Sequence, residues 1–243
     1  VDSSNVELIK DSKSHSVEFS TGSGNYSPRL LIAPTIGDML LNADEQSHQY
    51  TVAVDARSAI VLNGKRGVAF WAESNQTHWT TSSFYRTSLP EWITNYNRHD
   101  TNNFYALTRW TPLYDAAKYL NSEIAVVEGI TNKSTSLISD INLRLASTPY
   151  GRMCYTPAGN TMLFEFASSM VVLEKLGQDT SPDILNICLD PARYIAQTYG
   201  PESIEYEDML YRLDKDLEEF LRFIYAQVES PQSILVVLSA DHG

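Results

Sequence analysis

Cysteine is scarce in this sequence, and long hydrophobic runs are missing. The two cysteines, Cys154 and Cys188, allow at most one disulfide and lack the close spacing of a metal-binding knuckle. Both lie among apolar or aromatic residues, so we expect buried free thiols. No stretch reaches the roughly 18 apolar residues that a membrane-spanning helix needs, and Val1 opens the chain without a methionine or a signal-peptide pattern. We therefore expect a piece of a longer protein, with no membrane span inside the piece.

Basic residues are also few relative to acidic ones. The chain holds 18 Lys and Arg against 30 Asp and Glu, which gives a net charge of −12. A surface of this sign repels polyanions, so neither nucleic acid nor an anionic membrane is expected as the main partner. Apolar residues make up 43% of the 243 residues. This is enough for the hydrophobic core of one large domain or two small ones.

The most informative stretch is the last one, an apolar run over residues 233–240 that is followed by Asp241, His242 and Gly243. The run predicts a buried parallel strand, and in open α/β sheets ligands bind at the carboxyl end of such a strand. A carboxylate beside an imidazole suits zinc or a similar divalent ion, and Gly243 permits the sharp turn that lets both reach one ion. An ordinary strand end, with Asp241 as a cap and His242 as a polar residue, explains the same tripeptide.

Two further stretches predict strands whose carboxyl ends carry charged residues. Residues 49–54 alternate like a strand and lead into Asp55-Ala56-Arg57, where Arg57 is either an anion-binding fork or half of a salt bridge. Residues 184–189 form a short apolar run that ends at Asp190-Pro191. The longest helix is predicted at 203–228, with one apolar stripe and an acidic, solvated face. This helix would connect two strands in a right-handed βαβ crossover, which predicts a parallel sheet.

The remaining stretches predict peripheral elements. Ser27-Pro28 has the pattern of a helix start, an N-cap followed by a first-turn proline. Pro34 interrupts or kinks this helix, and residues 35–41 resume the helical pattern. Residues 68–82 predict an aromatic hairpin, and helices are predicted after Leu89 and after Thr156. Residues 101–150 are rich in Asn, Thr and Tyr and predict a long excursion that shapes a pocket.

Four motifs in the second half of the chain follow one another in a characteristic order. They are Thr156-Pro157-Ala158-Gly159-Asn160, Tyr199-Gly200-Pro201-Glu202-Ser203, Arg212-Leu213-Asp214-Lys215-Asp216 and Ala240-Asp241-His242-Gly243. With them the chain resembles the alkaline phosphatase superfamily, in particular the bacterial phosphate-irrepressible alkaline phosphatases, which are relatives of the type I phosphodiesterase/nucleotide pyrophosphatase family. Shorter matches upstream, at Thr35-Ile36-Gly37-Asp38 and Leu89-Pro90-Glu91-Trp92, keep the same order. The resemblance thus covers nearly the whole chain.

The resemblance implies an α/β fold of the alkaline phosphatase type. This is a mostly parallel sheet flanked by helices, here incomplete at both ends and with a peripheral hairpin or insertion. Residues 1–243 would be the central part of one such domain, and residues 58–150 would be a cap or insertion region within it. Bacterial members of this branch are exported, which implies a periplasmic or secreted protein. Unpaired sheet edges would favour a homodimer that buries them.

The resemblance also implies metal-dependent hydrolysis of phosphate mono- or diesters at a site for two zinc ions. Asp241 and His242 match one pair of zinc ligands. Arg57 matches the arginine of a Lys-x-Arg phosphate clamp, in which the lysine position is here Asp55. The nucleophile and the other ligands belong to segments outside the chain, so no catalytic residue is expected within it.

The second pair of zinc-ligand positions departs from the family pattern. Counting back from Gly200-Pro201 places Arg193 and Gln197 where the family has an Asp and a His. An arginine cannot lose its proton, and a glutamine is a weak neutral donor. Asp190 lies nearby, but no histidine follows it by four residues. The resemblance therefore implies one possible zinc site and a degraded second one.

Three functions fit these residues. The first is a fragment of an alkaline phosphatase-like hydrolase acting on phosphate esters. The second is an inactive pseudo-enzyme that keeps the fold and serves as a binding or interaction module, as Arg193 and Gln197 suggest. The third is a structural module without a ligand. Fold resemblance by itself does not choose among them.

Overall fold

A four-stranded sheet is the centre of the molecule. Its strands are β1 (Gln49–Ala53), β2 (Val68–Ala72), β3 (Trp79–Thr80) and β4 (Ile184–Cys188). In the order β3-β2-β1-β4, β1 pairs in parallel with β2 and with β4, and β3 lies antiparallel to β2. The structure is a computed structural model that describes residues 8–18, 24–73, 78–99, 110–120 and 154–240.

Helices flank the sheet in the described part of the chain. They are α1 (Ile36–Ala43), α2 (Ala56–Asn63), α3 (Glu91–Arg98), α4 (Ala158–Leu173), α5 (Asp190–Tyr199) and α6 (Ile204–Gln227), with short 3-10 turns at Ala116–Lys118 and Pro231–Ser233. None of these helices is both long enough and apolar enough to cross a membrane. The architecture is thus a mixed sheet with helices around it.

Capping residues determine where the helices next to the sheet begin. Ser203 caps α6, and its hydroxyl accepts a hydrogen bond from the Tyr206 N–H at 3.1 Å. Asp55 caps α2, and its carboxylate accepts from the Arg57 N–H at 2.8 Å. Both caps satisfy N–H groups that have no partner within the first helical turn.

The sheet has a hydrophobic core on each face, because successive side chains of a strand point to opposite sides. One face packs against α4, where the Phe166 ring stacks on Trp79 with the ring centroids 3.7 Å apart. The opposite face packs against α2, where Trp71 lies in one buried cluster with Ala59 and Ile60. Burial of these apolar side chains is the main contribution to the stability of the sheet, and it holds the strands in place relative to the helices.

Most of the elements predicted from the sequence are confirmed. The strands expected at 49–54 and 184–189 are β1 and β4, and they pair in parallel. The hairpin expected at 68–82 is formed by β2 and β3, and the long helix expected at 203–228 is α6. Both cysteines are free thiols, Cys154 fully buried and Cys188 partly so.

The predicted terminal strand is wrong for the residues that the structure describes. Residues 234–240 form no regular element and pair with no described strand. The side chains of Leu235, Val237 and Leu238 are 87%, 77% and 73% exposed. The run has the composition of a strand, but a strand forms only where a neighbouring edge takes up its backbone hydrogen bonds. The βαβ crossover that depended on this strand is therefore missing from the described residues.

The helix start predicted at Ser27-Pro28 is also wrong, although the helical pattern expected to resume at 35–41 is confirmed as α1, and two helices were not predicted. The Ser27 hydroxyl donates to the Asp11 carboxylate at 2.7 Å, and the chain makes turns there until α1 begins. Neither α2 nor α5 was expected from the sequence. Asp190-Pro191 nevertheless carried a signal for α5, because proline is favoured in the first helical turn. Most of the excursion expected at 101–150 lies outside the described residues.

Candidate functional site

The carboxyl ends of β1 and β4 lie side by side, because the two strands are parallel and Ala53 pairs with Cys188. Asp55 lies two residues beyond β1 and is the N-cap of α2. Asp190 lies two residues beyond β4 and is the first residue of α5. The structure therefore brings Asp55 and Asp190 to one edge of the sheet, the edge at which open α/β sheets bind ligands.

Asp190 is buried and hydrogen-bonded through both carboxylate oxygens. Its Oδ2 accepts from the backbone N–H groups of Val54 at 3.1 Å and Asp55 at 3.0 Å. Its Oδ1 accepts from the Ser58 hydroxyl at 2.5 Å. These bonds connect the start of α5 to the turn between β1 and α2, so Asp190 holds the two strand ends together.

Asp55 divides its carboxylate between a helix cap and the neighbouring helix. Its Oδ1 accepts from the Arg57 N–H at 2.8 Å in the first turn of α2. Its Oδ2 accepts from the Tyr194 hydroxyl at 2.8 Å and from Arg193 Nη2 at 3.3 Å, both on α5. Asp55 thus makes a second connection between the ends of β1 and β4.

Arg193 is the cation of this cluster. Its Nη2 lies 3.3 Å from Asp55 Oδ2 and 3.7 Å from Asp190 Oδ1, so one guanidinium faces both carboxylates. The same guanidinium lies over the Tyr194 ring, 4.7 Å from its centroid. Its Nε is sheltered from solvent and has no hydrogen-bond acceptor in the described part of the chain.

Burial is the main influence on the pKa values in this cluster. It raises the pKa of Asp190, although hydrogen bonds from Ser58 and the Asp55 backbone act in the opposite direction. Burial also raises the pKa of the Cys188 thiol to about 12, and the Asp190 and Asp55 carboxylates add to this shift. For Tyr194, burial and the Asp55 carboxylate raise the pKa. At neutral pH Cys188 is therefore an unreactive thiol, and Tyr194 is a stable hydrogen-bond donor.

A guanidinium, and not a set of metal ligands, lies at this edge among the described residues. All four carboxylate oxygens of Asp55 and Asp190 accept hydrogen bonds from protein groups. The permanent positive charge of Arg193 lies between them and opposes a divalent cation. No group of three or more His, Cys, Asp or Glu residues with the arrangement of a metal site occurs in the ranges that the structure describes.

The structure shows the environment of only some of the site residues predicted from the sequence. Arg57 is exposed in the first turn of α2. Arg193 faces the two carboxylates, and Gln197 is exposed one turn later on α5. Asp241 and His242 lie outside the described residues, so their role as metal ligands stays a prediction.

Sequence reasoning missed two residues that shape the cluster. They are Ser58, whose hydroxyl donates to Asp190, and Tyr194, whose hydroxyl donates to Asp55. A serine or a tyrosine inside a helix gives no signal of such a role. Asp190 did give one, because it follows the strand predicted at 184–189 and polar side chains at that position collect at the carboxyl edge.

Sequence comparison finds relatives of the chain, although no protein-family model matches it. The chain is 30% identical over 243 residues to alkaline phosphatase PhoV of Synechococcus elongatus, covering 98% of this chain and 44% of that protein. It is 30% identical over 230 residues to a Myroides odoratus protein named calcium-transporting ATPase, covering 90% and 41%. It is also 30% identical over 226 residues to alkaline phosphatase PafA of Elizabethkingia meningoseptica, again covering 90% and 41%.

The fold leads to the same group of proteins. The crystal structure of wild-type PafA matches with a TM-score of 0.82 and 27% sequence identity, over 91% of this chain and 44% of the PafA chain. The chain thus spans less than half the length of the relatives that it matches. In class it is an α/β protein with an alkaline phosphatase-like sheet. The resemblance seen in the sequence is confirmed, because over most of its length the chain is similar to alkaline phosphatases in both sequence and fold.

Proposed function

We propose that the chain is the central part of an alkaline phosphatase-like phosphoesterase whose two-metal site is degraded. One observation carries this proposal. The Arg193 guanidinium lies 3.3 Å from Asp55 and 3.7 Å from Asp190 at the carboxyl edge of the sheet. A fixed positive charge with both carboxylates as its counterions leaves little attraction for a second divalent cation at this edge.

In this proposal the substrates are phosphate mono- or diesters, including diesters of the nucleotide pyrophosphatase kind. Asp241 and His242 bind a single zinc ion, which would supply Lewis-acid stabilisation of the phosphoryl group when bound. Arg57, exposed at the start of α2, donates hydrogen bonds to the ester phosphate. Arg193 and Gln197 occupy the degraded positions, and the chain itself contains no catalytic residue.

A second candidate function is that of a pseudo-enzyme that serves as a binding or interaction module. Arg193 and Gln197 favour it, because an arginine cannot lose its proton and a glutamine is a weak neutral donor, so neither is an ordinary zinc ligand. A homodimer that covers residues 234–240 and the edge of β4 that no described strand occupies would be one form of it. The same Arg193 cluster is compatible with this function, since it needs no metal to hold the strand ends.

Further features of the proposal follow from the family and the charge. A periplasmic or secreted location agrees with the exported bacterial members of the family. The net charge of −12 disfavours nucleic acid as a partner. We propose residues 58–150 as the cap or insertion region, of which residues 110–120 contact α6 through Asp208.

Metal content and phosphatase activity test the proposal on the longest form of the protein that contains these 243 residues. Metal analysis should find one zinc per chain in wild type and none in Asp241→Ala. The matched control is Asp214→Ala, which changes an exposed aspartate on α6 and should keep the zinc. Hydrolysis of p-nitrophenyl phosphate and of bis(p-nitrophenyl) phosphate is expected to be slow compared with ordinary phosphatases. Removing a Lewis acid from such a site raises the barrier by several kcal/mol.

The possible outcomes separate the two functions. Two zinc ions per chain with turnover at ordinary enzyme rates would contradict a degraded site. One zinc with slow turnover that is lost in Asp241→Ala supports the proposal. If neither wild type nor Asp241→Ala binds zinc or hydrolyses the esters, the result favours the pseudo-enzyme.

A further inference from the structure

Asp55, Asp190, Arg193 and Tyr194 form what we call the Arg193 cluster. It resembles a cation site, except that the cation is a side chain of the protein. Two carboxylates, one after β1 and one after β4, converge on a single guanidinium. The Tyr194 hydroxyl donates to Asp55 at 2.8 Å, while the Tyr194 ring supports the guanidinium from one side. The carboxylate of Asp190 is only 5% exposed, so its charge is poorly screened by water.

We infer that Arg193 is a built-in cation that holds the Asp55 and Asp190 carboxylates together, and with them the ends of β1 and β4. A bound divalent ion would hold two such carboxylates in the same way. Replacing Arg193 by an uncharged residue would therefore create a cation site with oxygen donors only. Such donors suit a hard divalent ion such as Mg²⁺ or Mn²⁺.

The hydrogen bonding of Arg193 supports a role that depends on charge. Its Nε is sheltered and has no acceptor among the described residues, so the guanidinium does not use its full set of donors. The two contacts that it does make to carboxylates are 3.3 and 3.7 Å long. This pattern is expected where electrostatic attraction positions the group, and a compact ion could supply the same attraction.

Cation rescue of stability tests the inference. In Arg193→Ala we expect Tm to fall by about 5–10 °C, because two carboxylates lose their counterion. MgCl₂ should then raise Tm of this variant by at least half of that fall, compared with KCl at equal ionic strength. Wild type should not show this rise. Titration with Mn²⁺, followed by EPR, should show one more bound ion per chain in the variant than in wild type.

Two control variants separate a specific site from a general salt effect. Arg193→Lys keeps a positive charge and should show no Mg²⁺ rescue. The double variant Asp190→Asn with Arg193→Ala removes one carboxylate and should also lose the rescue. Should Arg193→Ala fail to fold, Arg193→Met carries the same test, since its long side chain can still cover the Tyr194 ring.

The inference is overturned if Mg²⁺ stabilises wild type and Arg193→Ala equally, or if Arg193→Ala is as stable as wild type. It is also overturned if both uncharged variants stay unfolded with and without Mg²⁺. None of these results depends on hydrolysis of a phosphate ester. Failure here is therefore distinct from failure of the proposed function, which is measured on wild type by zinc content and turnover.

Discussion

At the scale of single residues, Asp208 attaches a separate segment of the chain to the sheet domain. Its carboxylate on α6 is fully buried. It accepts hydrogen bonds from Trp110 Nε1 at 2.7 Å, the Leu113 N–H at 2.6 Å, the Tyr119 hydroxyl and Arg212 Nε at 2.7 Å. Three of these donors belong to residues 110–120, so one side chain anchors that stretch on α6.

These hydrogen bonds predict how stability depends on pH. Burial by itself raises the pKa of Asp208, but the hydrogen bonds outweigh burial and the pKa is lowered overall. Since the folded pKa is lowered, the stabilisation is fully present above the ordinary carboxyl pKa and is lost as the pH falls through the folded value. We expect Asp208→Asn to reduce the free energy of unfolding by about 3 kcal/mol at neutral pH.

Urea unfolding from neutral to strongly acid pH checks this prediction. Wild type should lose more stability on acidification than Asp208→Asn, because only wild type has this carboxylate to protonate. Asp214→Asn, an exposed change on the same helix, should match wild type. Equal acid dependence of wild type and Asp208→Asn would contradict the account.

At the scale of elements, α1 and α2 meet at Gly64. This residue ends α2 with φ +79°, a conformation that favours glycine. A Cβ there would lie 2.3 Å from Asp38 Oδ2 and 2.6 Å from Thr35 Oγ1. Thr35 and Asp38 form the capping box of α1, so the end of one helix leaves no space beside the start of the other.

Gly64→Ala is therefore expected to destabilise the protein more than Gly200→Ala. Gly200 also has a positive φ, +92°, but a Cβ there would meet nothing within 4 Å. At either position the backbone conformation is expected to lower the free energy of unfolding by about 1–2 kcal/mol when alanine replaces glycine. At Gly64 crowding is expected to lower it by about 1–3 kcal/mol more. Denaturant unfolding of both variants measures the difference. Equal losses would show that the capping box relaxes without cost.

At the scale of the whole molecule, one edge of the sheet and one apolar run have no covering element among the described residues. Within the described ranges β4 is at one end of the sheet and pairs with β1 alone. Residues 234–240 present Leu235, Val237 and Leu238 to solvent. Unpaired strand edges and exposed apolar runs both promote association between chains.

We expect the 243-residue chain to self-associate through this run. The double variant Leu235→Lys with Val237→Lys should shift the molecule toward monomer in sedimentation velocity experiments. The matched control is Val61→Lys with Leu62→Lys on α2, which adds the same charge at side chains that are 42% and 45% exposed. A wild type that is monomeric at all concentrations, or an equal shift in both variants, would contradict this expectation.

The sequence predicted the elements with long patterns and clear ends, and it missed those that depend on contacts. The apolar stripe was enough to predict α6. The eight residues of α2 show little periodicity and are helical mainly because Asp55 caps them and the sheet buries one side. The terminal run had the composition of a strand, but composition does not supply a neighbouring strand.

By itself the sequence determined the resemblance to alkaline phosphatases, the strands β1 and β4, and the long helix α6. These properties depend on local patterns and on motifs, which can be seen without coordinates. Only the tertiary structure decided what Arg193 contacts, because Asp55 and Asp190 are separated by 135 residues in the chain. Side chains so far apart become neighbours only when β1 and β4 pair, and their mutual electrostatics exist only after that pairing.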